Sequence, residues 1–206
     1  TYPKFDPEPL LKKLDFTFPL HLRDRDVQIE VYRLDYTGLN GHNLPIYFMD
    51  TDLEENRDED RIISLRLYSG NKDDRILQEA ILGFGGIQLL KRLGIMENIE
   101  TFHMNEGHCS FLTLELLREY NDERCVREKC HFTTHTPVAA GHDHFSLERV
   151  KNLLHDLIPE NFNLPSLVQN SRLHMTELGL HFSRSANGVS ALHGQVAQKQ
   201  FPQVQI

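Results

Sequence analysis

Cysteine is scarce, with three residues, Cys109, Cys125 and Cys130, in a chain of 206. They form no CxxC pair and an odd number cannot pair completely, so a disulfide framework is not expected. The thiols read as reduced, with Cys109 buried. Long apolar runs are absent too. No stretch approaches the roughly 20 apolar residues that span a bilayer, and Thr1-Tyr2-Pro3-Lys4 opens no signal peptide, which makes a cytoplasmic protein without a membrane partner the expectation. Positive charge is outnumbered, Lys+Arg 22 against Asp+Glu 30 for a net charge of -8. That balance repels nucleic acid and anionic membranes as principal partners. Missing as well are a GxGxxG turn after a strand, a Walker loop and a GxSxG elbow. Gly83-Phe84-Gly85-Gly86 falls inside a helical pattern, where it cannot cradle a phosphate. There is no initiator methionine, the end at Ile206 is abrupt, and apolar residues amount to only 39%. That share is lean for a self-sufficient globule of this size, so an excised piece of a longer polypeptide is expected.

What is present has an order. Residues 1–60 read as a β-rich hairpin region: Val27 to Tyr32 alternates at period two, Gly38 to Asn43 carries turn formers, and Leu44 to Met49 resumes a strand. Thr51 to Asp60 reads as an acidic loop or first helical turn. Residues 61–206 read as a Rossmann-like α/β part. Apolar residues from Ile76 to Leu93 recur at three and four, predicting a long helix over 73–94 that Gly94 closes. Its internal glycines Gly83, Gly85 and Gly86 each cost about 1 kcal/mol against Ala, so close packing on a neighbour is expected. Then come a strand over 99–104, a helix over 109–120, a strand over 130–134 and a helix over 147–157 capped by Ser146. A loop follows over 159–165, then a helix over 171–183, a strand over 187–191 and a helix from Leu192 to Gln200. Strand alternating with helix predicts a parallel sheet flanked by helices, in one partial domain.

In such a sheet ligands gather at the carboxyl ends of the strands. Asn105-Glu106-Gly107-His108 and Thr133-Thr134-His135-Thr136-Pro137 follow two strands, and Gly141-His142-Asp143-His144 lies just before a helix. Asn, Glu, His and Thr offer the mixed donors and acceptors that match vicinal sugar hydroxyls. Equally, His108 and His135 could satisfy buried backbone groups. Glu106 and Asp143 could form an acid and base pair or serve as helix caps. Twelve histidines raise the question of zinc, but neither the Asn105 to His108 spacing nor His142-Asp143-His144 matches a ligand set, so no metal is expected.

Taken together, Met49-Asp50-Thr51-Asp52-Leu53, the helix from Arg75-Ile76-Leu77-Gln78-Glu79 through Gly86, Asn105-Glu106-Gly107-His108, Phe132-Thr133-Thr134-His135-Thr136-Pro137-Val138 with Gly141-His142-Asp143, and Asn187-Gly188-Val189-Ser190-Ala191-Leu192-His193-Gly194 resemble the α-1,4-glucan phosphorylases, in their short bacterial and archaeal branch. The resemblance implies part of the N-terminal domain of a GT-B fold. It implies an enzyme that releases glucose 1-phosphate from an α-1,4-glucan or maltodextrin with inorganic phosphate, using pyridoxal 5'-phosphate. In that scheme His135 is the catalytic-site residue at the cleaved glucosyl unit, and Asn105, Glu106, His108, Thr136 and Asp143 bind substrate, His144 carrying over only weakly. The cofactor lysine matches nothing here and belongs to a missing C-terminal domain, so the chain alone is expected to be inactive. Homodimerisation through exposed apolar surface is a further expectation. The alternatives are a stand-alone, non-catalytic glycan-binding or regulatory module and, more distantly, a metal-dependent hydrolase.

Overall fold

The computed structural model describes residues 10–66, 71–159 and 167–206. The N-terminal residues read for a signal peptide, and the expected loop from residue 160 to Pro165, lie outside these. Contacts divide the chain into two compact units, residues 1–20 with 25–69, and residues 21–24 with 70–206.

The first unit is an antiparallel meander in the order β1-β2-β3, formed by β1 (Lys12–Leu22), β2 (Arg25–Thr37) and β3 (Asn43–Asp50). Val27, Ile29 and Val31 are fully buried at every second position, the alternation the sequence predicts. Tyr32 pairs with Phe48 and Thr37 with Asn43. The turn between them closes through Gly38 N–H to His42 O (2.9 Å), and Gly41 supplies a φ of +80°. Beyond the buried half, Tyr36, Leu44, Ile46 and Phe48 are exposed. A short helix, α1 (Asp58–Arg61), ends the acidic stretch.

The second unit is α/β. Its sheet has the order β4-β5-β9, with β4 (Phe102–Asn105), β5 (Cys130–Thr134) and β9 (Ser185–Gly188) all parallel. The expected strands are therefore there, with β4 and β9 shifted by one to three residues. Phe102, Met104, Cys130 and Phe132 point into the core. The alternating His103, Asn105, Ser185 and Asn187 point away and are exposed, with His131 half-buried, so among the described residues one sheet face is packed and the other is polar. The packed face meets α7 (Met175–His181), whose Gly179 lies so close that an added Cβ would stand 2.5 Å from the Phe132 ring.

The long helix is a composite. α2 (Lys72–Ala80) runs into a π-helical turn at Ile81–Gly85 and on into α3 (Gly86–Arg92). Gly94, at φ +68°, closes it with Gly94 N–H to Lys91 O (3.0 Å) and Ile95 N–H to Leu90 O (3.2 Å), a left-handed C-terminal cap. The close packing expected of the glycines holds at Gly83, where a Cβ would stand 2.6 Å from Leu112 N and 2.7 Å from Phe111 Cβ, but not at Gly86, which has nothing within 4 Å. At that crossing Phe84 stacks on Phe111 at 5.5 Å, joining the π turn to α4 (Leu112–Tyr120).

Several elements depart from the sequence reading. α5 (Glu123–Lys129) was not expected. The helix α6 is Leu147–Leu154, finished by a 3-10 turn at His155–Leu157, and Ser146 precedes it without a side-chain capping bond. The stretch predicted as helix from Ser171 begins as a strand, β8 (Arg172–His174), before α7. With β6 (His144–Ser146) and β7 (Val168–Gln169) it makes a small antiparallel sheet, order β6-β8-β7, so His144 belongs to a strand. α8 (Ala191–Gln200) starts as expected, Ser190 capping it by accepting from His193 N–H (3.2 Å). All three cysteines are free, but the buried one is Cys130, while Cys109 is half-buried. No described helix is long and apolar enough to cross a membrane.

The two glycine positions predict opposite effects. Gly83→Ala overpacks the helix crossing and is expected to lower stability by about 1–3 kcal/mol. Gly86→Ala, in open space, is expected to raise it by up to about 1 kcal/mol. Urea unfolding of both variants checks the pair, and equal effects would contradict this account of the crossing.

Candidate functional site

Asn105 ends β4, and the next residue breaks the strand sharply. Glu106 has φ +84° and ψ 171°, a region essentially reserved for glycine and worth about 1–3 kcal/mol of strain. Something must hold it there, and the side chain does. Its carboxylate accepts from Gly107 N–H (3.0 Å) on one oxygen. On the other it accepts from His135 N–H (2.7 Å), Thr136 N–H (3.0 Å) and the Thr136 hydroxyl (2.9 Å). Meanwhile Glu106 N–H donates to Thr133 O (2.9 Å), so the ends of β4 and β5 are tied twice. Gly107 sits in a close approach, since a Cβ there would stand 3.0 Å from Thr176 Oγ1, tighter than an ordinary contact.

Burial raises the Glu106 carboxyl, but the N–H donors of His135 and Gly107, followed by the Thr136 hydroxyl, outweigh it and hold the pKa below its ordinary value. Glu106 is thus an ionised acceptor whose lone pairs are largely used. That arrangement suits an anchor, and it removes Glu106 from the role of proton donor that a pairing with Asp143 would need.

The anchored turn presents His135. Its ring is exposed and its Nε2 is hydrogen-bonded to Asn105 Oδ1; because an amide oxygen only accepts, that ring nitrogen carries the proton. His108 makes no hydrogen bond with a described residue. Burial, then the Arg75 charge, pushes its pKa down, with Glu106 and Asp143 acting the other way and His135 adding to the lowering. All these groups therefore lie within electrostatic reach of one ring. Asp143 is ion-paired to Arg75 (2.7 Å). His142, buried, bonds Thr176 Oγ1 (2.9 Å) and Gln200 Oε1 (3.0 Å), and Gln200 Nε2 donates to Pro137 O (2.7 Å), which pins the loop after β5. The structure thus gathers Asn105, Glu106, His108, His135, Thr136 and Asp143 at one end of the sheet. His144 instead packs against His174, ring centres 4.0 Å apart.

Three partners escaped sequence reading. Arg75 joins Asp143 and also Glu79 (2.9 Å), whose carboxyl is buried and held well above its usual pKa by that burial and by the neighbouring Asp143 charge. A signal existed: Arg75 and Glu79 are an i,i+4 pair, and Glu79 falls on the apolar side of an amphipathic helix. Asn187 was read as part of a motif without a role. Its Oδ1 accepts from the Thr133 hydroxyl (2.9 Å) and from His131 Nε2 (2.7 Å), while His103 Nε2 bonds Thr133 Oγ1 (2.7 Å). The polar sheet face is therefore cross-linked sideways from strand to strand. Among the described residues no group of three His, Cys, Asp or Glu side chains could hold a metal ion.

Because the folded-state pKa of Glu106 lies below its unfolded value, its contribution to stability is full above the ordinary carboxyl pKa of 4.5 and is lost as pH falls through the lowered value. Glu106→Gln is expected to cost about 1.5–3 kcal/mol at neutral pH, with the difference from the parent shrinking in acid. Urea unfolding at neutral pH and near pH 4 reads both.

No family model matches the chain. Curated relatives do. Over 98% of its length the chain is 33% identical to a glycogen phosphorylase of Mycobacterium tuberculosis, covering 26% of that protein. Over 96% it is 32% identical to a maltodextrin phosphorylase of Thermococcus litoralis, covering 25%. Over 87% it is 32% identical to a glycogen phosphorylase of Aquifex aeolicus, covering 28%. The chain thus spans about a quarter of the length of these relatives, and over nearly all of its own residues it belongs with the glycogen and maltodextrin phosphorylases.

Proposed function

We propose that this chain supplies part of the glucan-binding wall of an α-glucan phosphorylase, as a portion of the N-terminal domain of a GT-B fold. The observation that carries the reading is the Glu106 anchor, which holds the 135–136 turn so that His135 and Asn105 stand hydrogen-bonded and exposed at the carboxyl end of a parallel sheet. An exposed pair of this kind offers donors and acceptors to sugar hydroxyls, and His108, whose ring bonds no described residue, offers another.

The reaction joins a phosphate oxygen to the anomeric carbon as the glycosidic C–O bond breaks, with a proton reaching the departing hydroxyl, and glucose 1-phosphate is released. Positive charge grows on the sugar ring on the way. A backbone carbonyl near the anomeric carbon, here that of His135, would stabilise it. In this reading Asn105 and His135 orient the sugar, and Glu106 acts through the turn it holds.

In this reading the attachment lysine for pyridoxal phosphate and the phosphate-binding groups belong to another part of the parent enzyme. The isolated chain is then inactive toward maltodextrin. Exposed apolar residues favour self-association of the isolated chain as a homodimer.

Calorimetric titration with maltopentaose tests the reading. His135→Ala and Asn105→Ala are each expected to weaken binding about tenfold, the equivalent of one or two lost hydrogen bonds. Binding unaffected by either change would overturn the site. Release of glucose 1-phosphate by this chain alone, from maltodextrin and phosphate with cofactor added, would overturn the division of labour.

A further inference from the structure

Away from the strand-end cluster, two adjoining cavities of about 410 and 470 Å³ share His144 and Arg172. Both fall within the 300–1,000 Å³ range common for small-ligand pockets. The first is bounded by Asn71 and Lys72 at the N-terminal end of α2, by Arg149 on α6 and by Arg172 on β8. His174 and Asn170 line the second.

The charge is one-sided. Lys72, Arg149 and Arg172 line this groove and, among the described residues, no acidic side chain does. Arg149 is neutralised by Asp73 (2.8 Å), whereas Lys72 and Arg172 have no hydrogen-bonding or ionic partner among the described residues. Two cations that line one concavity without a counter-charge among the described residues repel each other, and an anion between them removes that cost.

Neutral donors add to the charge. The first N–H groups of α2 lack acceptors inside the helix, and the Asn71 side chain takes only that of Asp73 (3.0 Å). Burial, then the neighbouring His144 and His142, holds the His174 pKa at about 4, so this ring is neutral near pH 7 and adds no positive charge of its own.

We propose that this groove is an anion site, distinct from the strand-end cluster, that takes a phosphate-class oxyanion, either free or as the phosphoryl group of a small ester. An Arg fork pairs bidentately with phosphate oxygens, and a Lys adds the point charge that phosphate binders commonly use. The proposal shares no residue with the glucan reading and stands independently of it.

Titration of the full chain with inorganic phosphate and, in parallel, with ribose 5-phosphate tests it. One equivalent of at least one probe is expected to bind, and to bind more weakly at high ionic strength. Arg172→Gln and Lys72→Gln are each expected to reduce affinity about tenfold, with unfolding midpoints unchanged because both side chains are exposed and have no partner among the described residues. Preference for the ester would assign the site to a phosphorylated metabolite, and preference for inorganic phosphate to the free ion. Binding of neither probe, or binding that survives both substitutions together, would overturn the proposal.

Discussion

One carboxylate organises the candidate site. Glu106 sits in a backbone conformation that few residues other than glycine tolerate, and it is kept there by donors from a different strand's turn. Neither partner would adopt its geometry alone: without the donors the strained φ relaxes, and without the carboxylate three N–H groups in the two turns lose their acceptor. An amide in this position has only one accepting oxygen and would leave donors unpaired. Negative charge is therefore used here to build backbone shape, and the exposed histidine beside it inherits a fixed orientation from that shape.

The surrounding packing has the same logic of contact without clearance. Helices reach the sheet and one another at Gly83 and Gly179, where a single added carbon would collide with backbone or with an aromatic ring. The π turn at Ile81–Gly85 brings Gly83 to the crossing and sets Phe84 against Phe111. Glu79 and Arg75, one and two turns earlier on the same helix, link this crossing to Asp143 in the loop that the site uses. A displacement of the helix would therefore be felt at the strand ends.

Much of this was legible in the sequence, for identifiable reasons. The strand around Val27 to Tyr32 and the strand Cys130–Thr134 carry their own periodicity, and the glycine at the end of the long helix marks its stop. β8 was misread because three residues run straight into α7, so the helical spacing of Met175, Leu178 and Phe182 dominates. α5 was missed because it buries only Val126, leaving no apolar repeat to find. β1 was not singled out because Pro19 and the charged Lys12-Lys13 blur its alternation. At the site, the residue types and their loops could be read, whereas the role of Glu106 could not. Whether its oxygens face a ligand or a neighbouring turn depends on a backbone angle that no spacing rule encodes.

The hairpin of the first unit carries a different kind of consequence. Tyr36, Leu44, Ile46 and Phe48 lie exposed on paired segments of β2 and β3, and β3 is an edge strand with nothing hydrogen-bonded beyond it among the described residues. Pro45 and Asp50 blunt this edge near its two ends, which leaves Ile46, Tyr47 and Phe48 as its apolar and aromatic stretch, the kind of segment that seeds intermolecular strand addition. Pairing of one chain with another would thus start from a ribbon remote in sequence from the strand-end cluster, and a lysine placed between Pro45 and Asp50 would oppose it without touching that cluster.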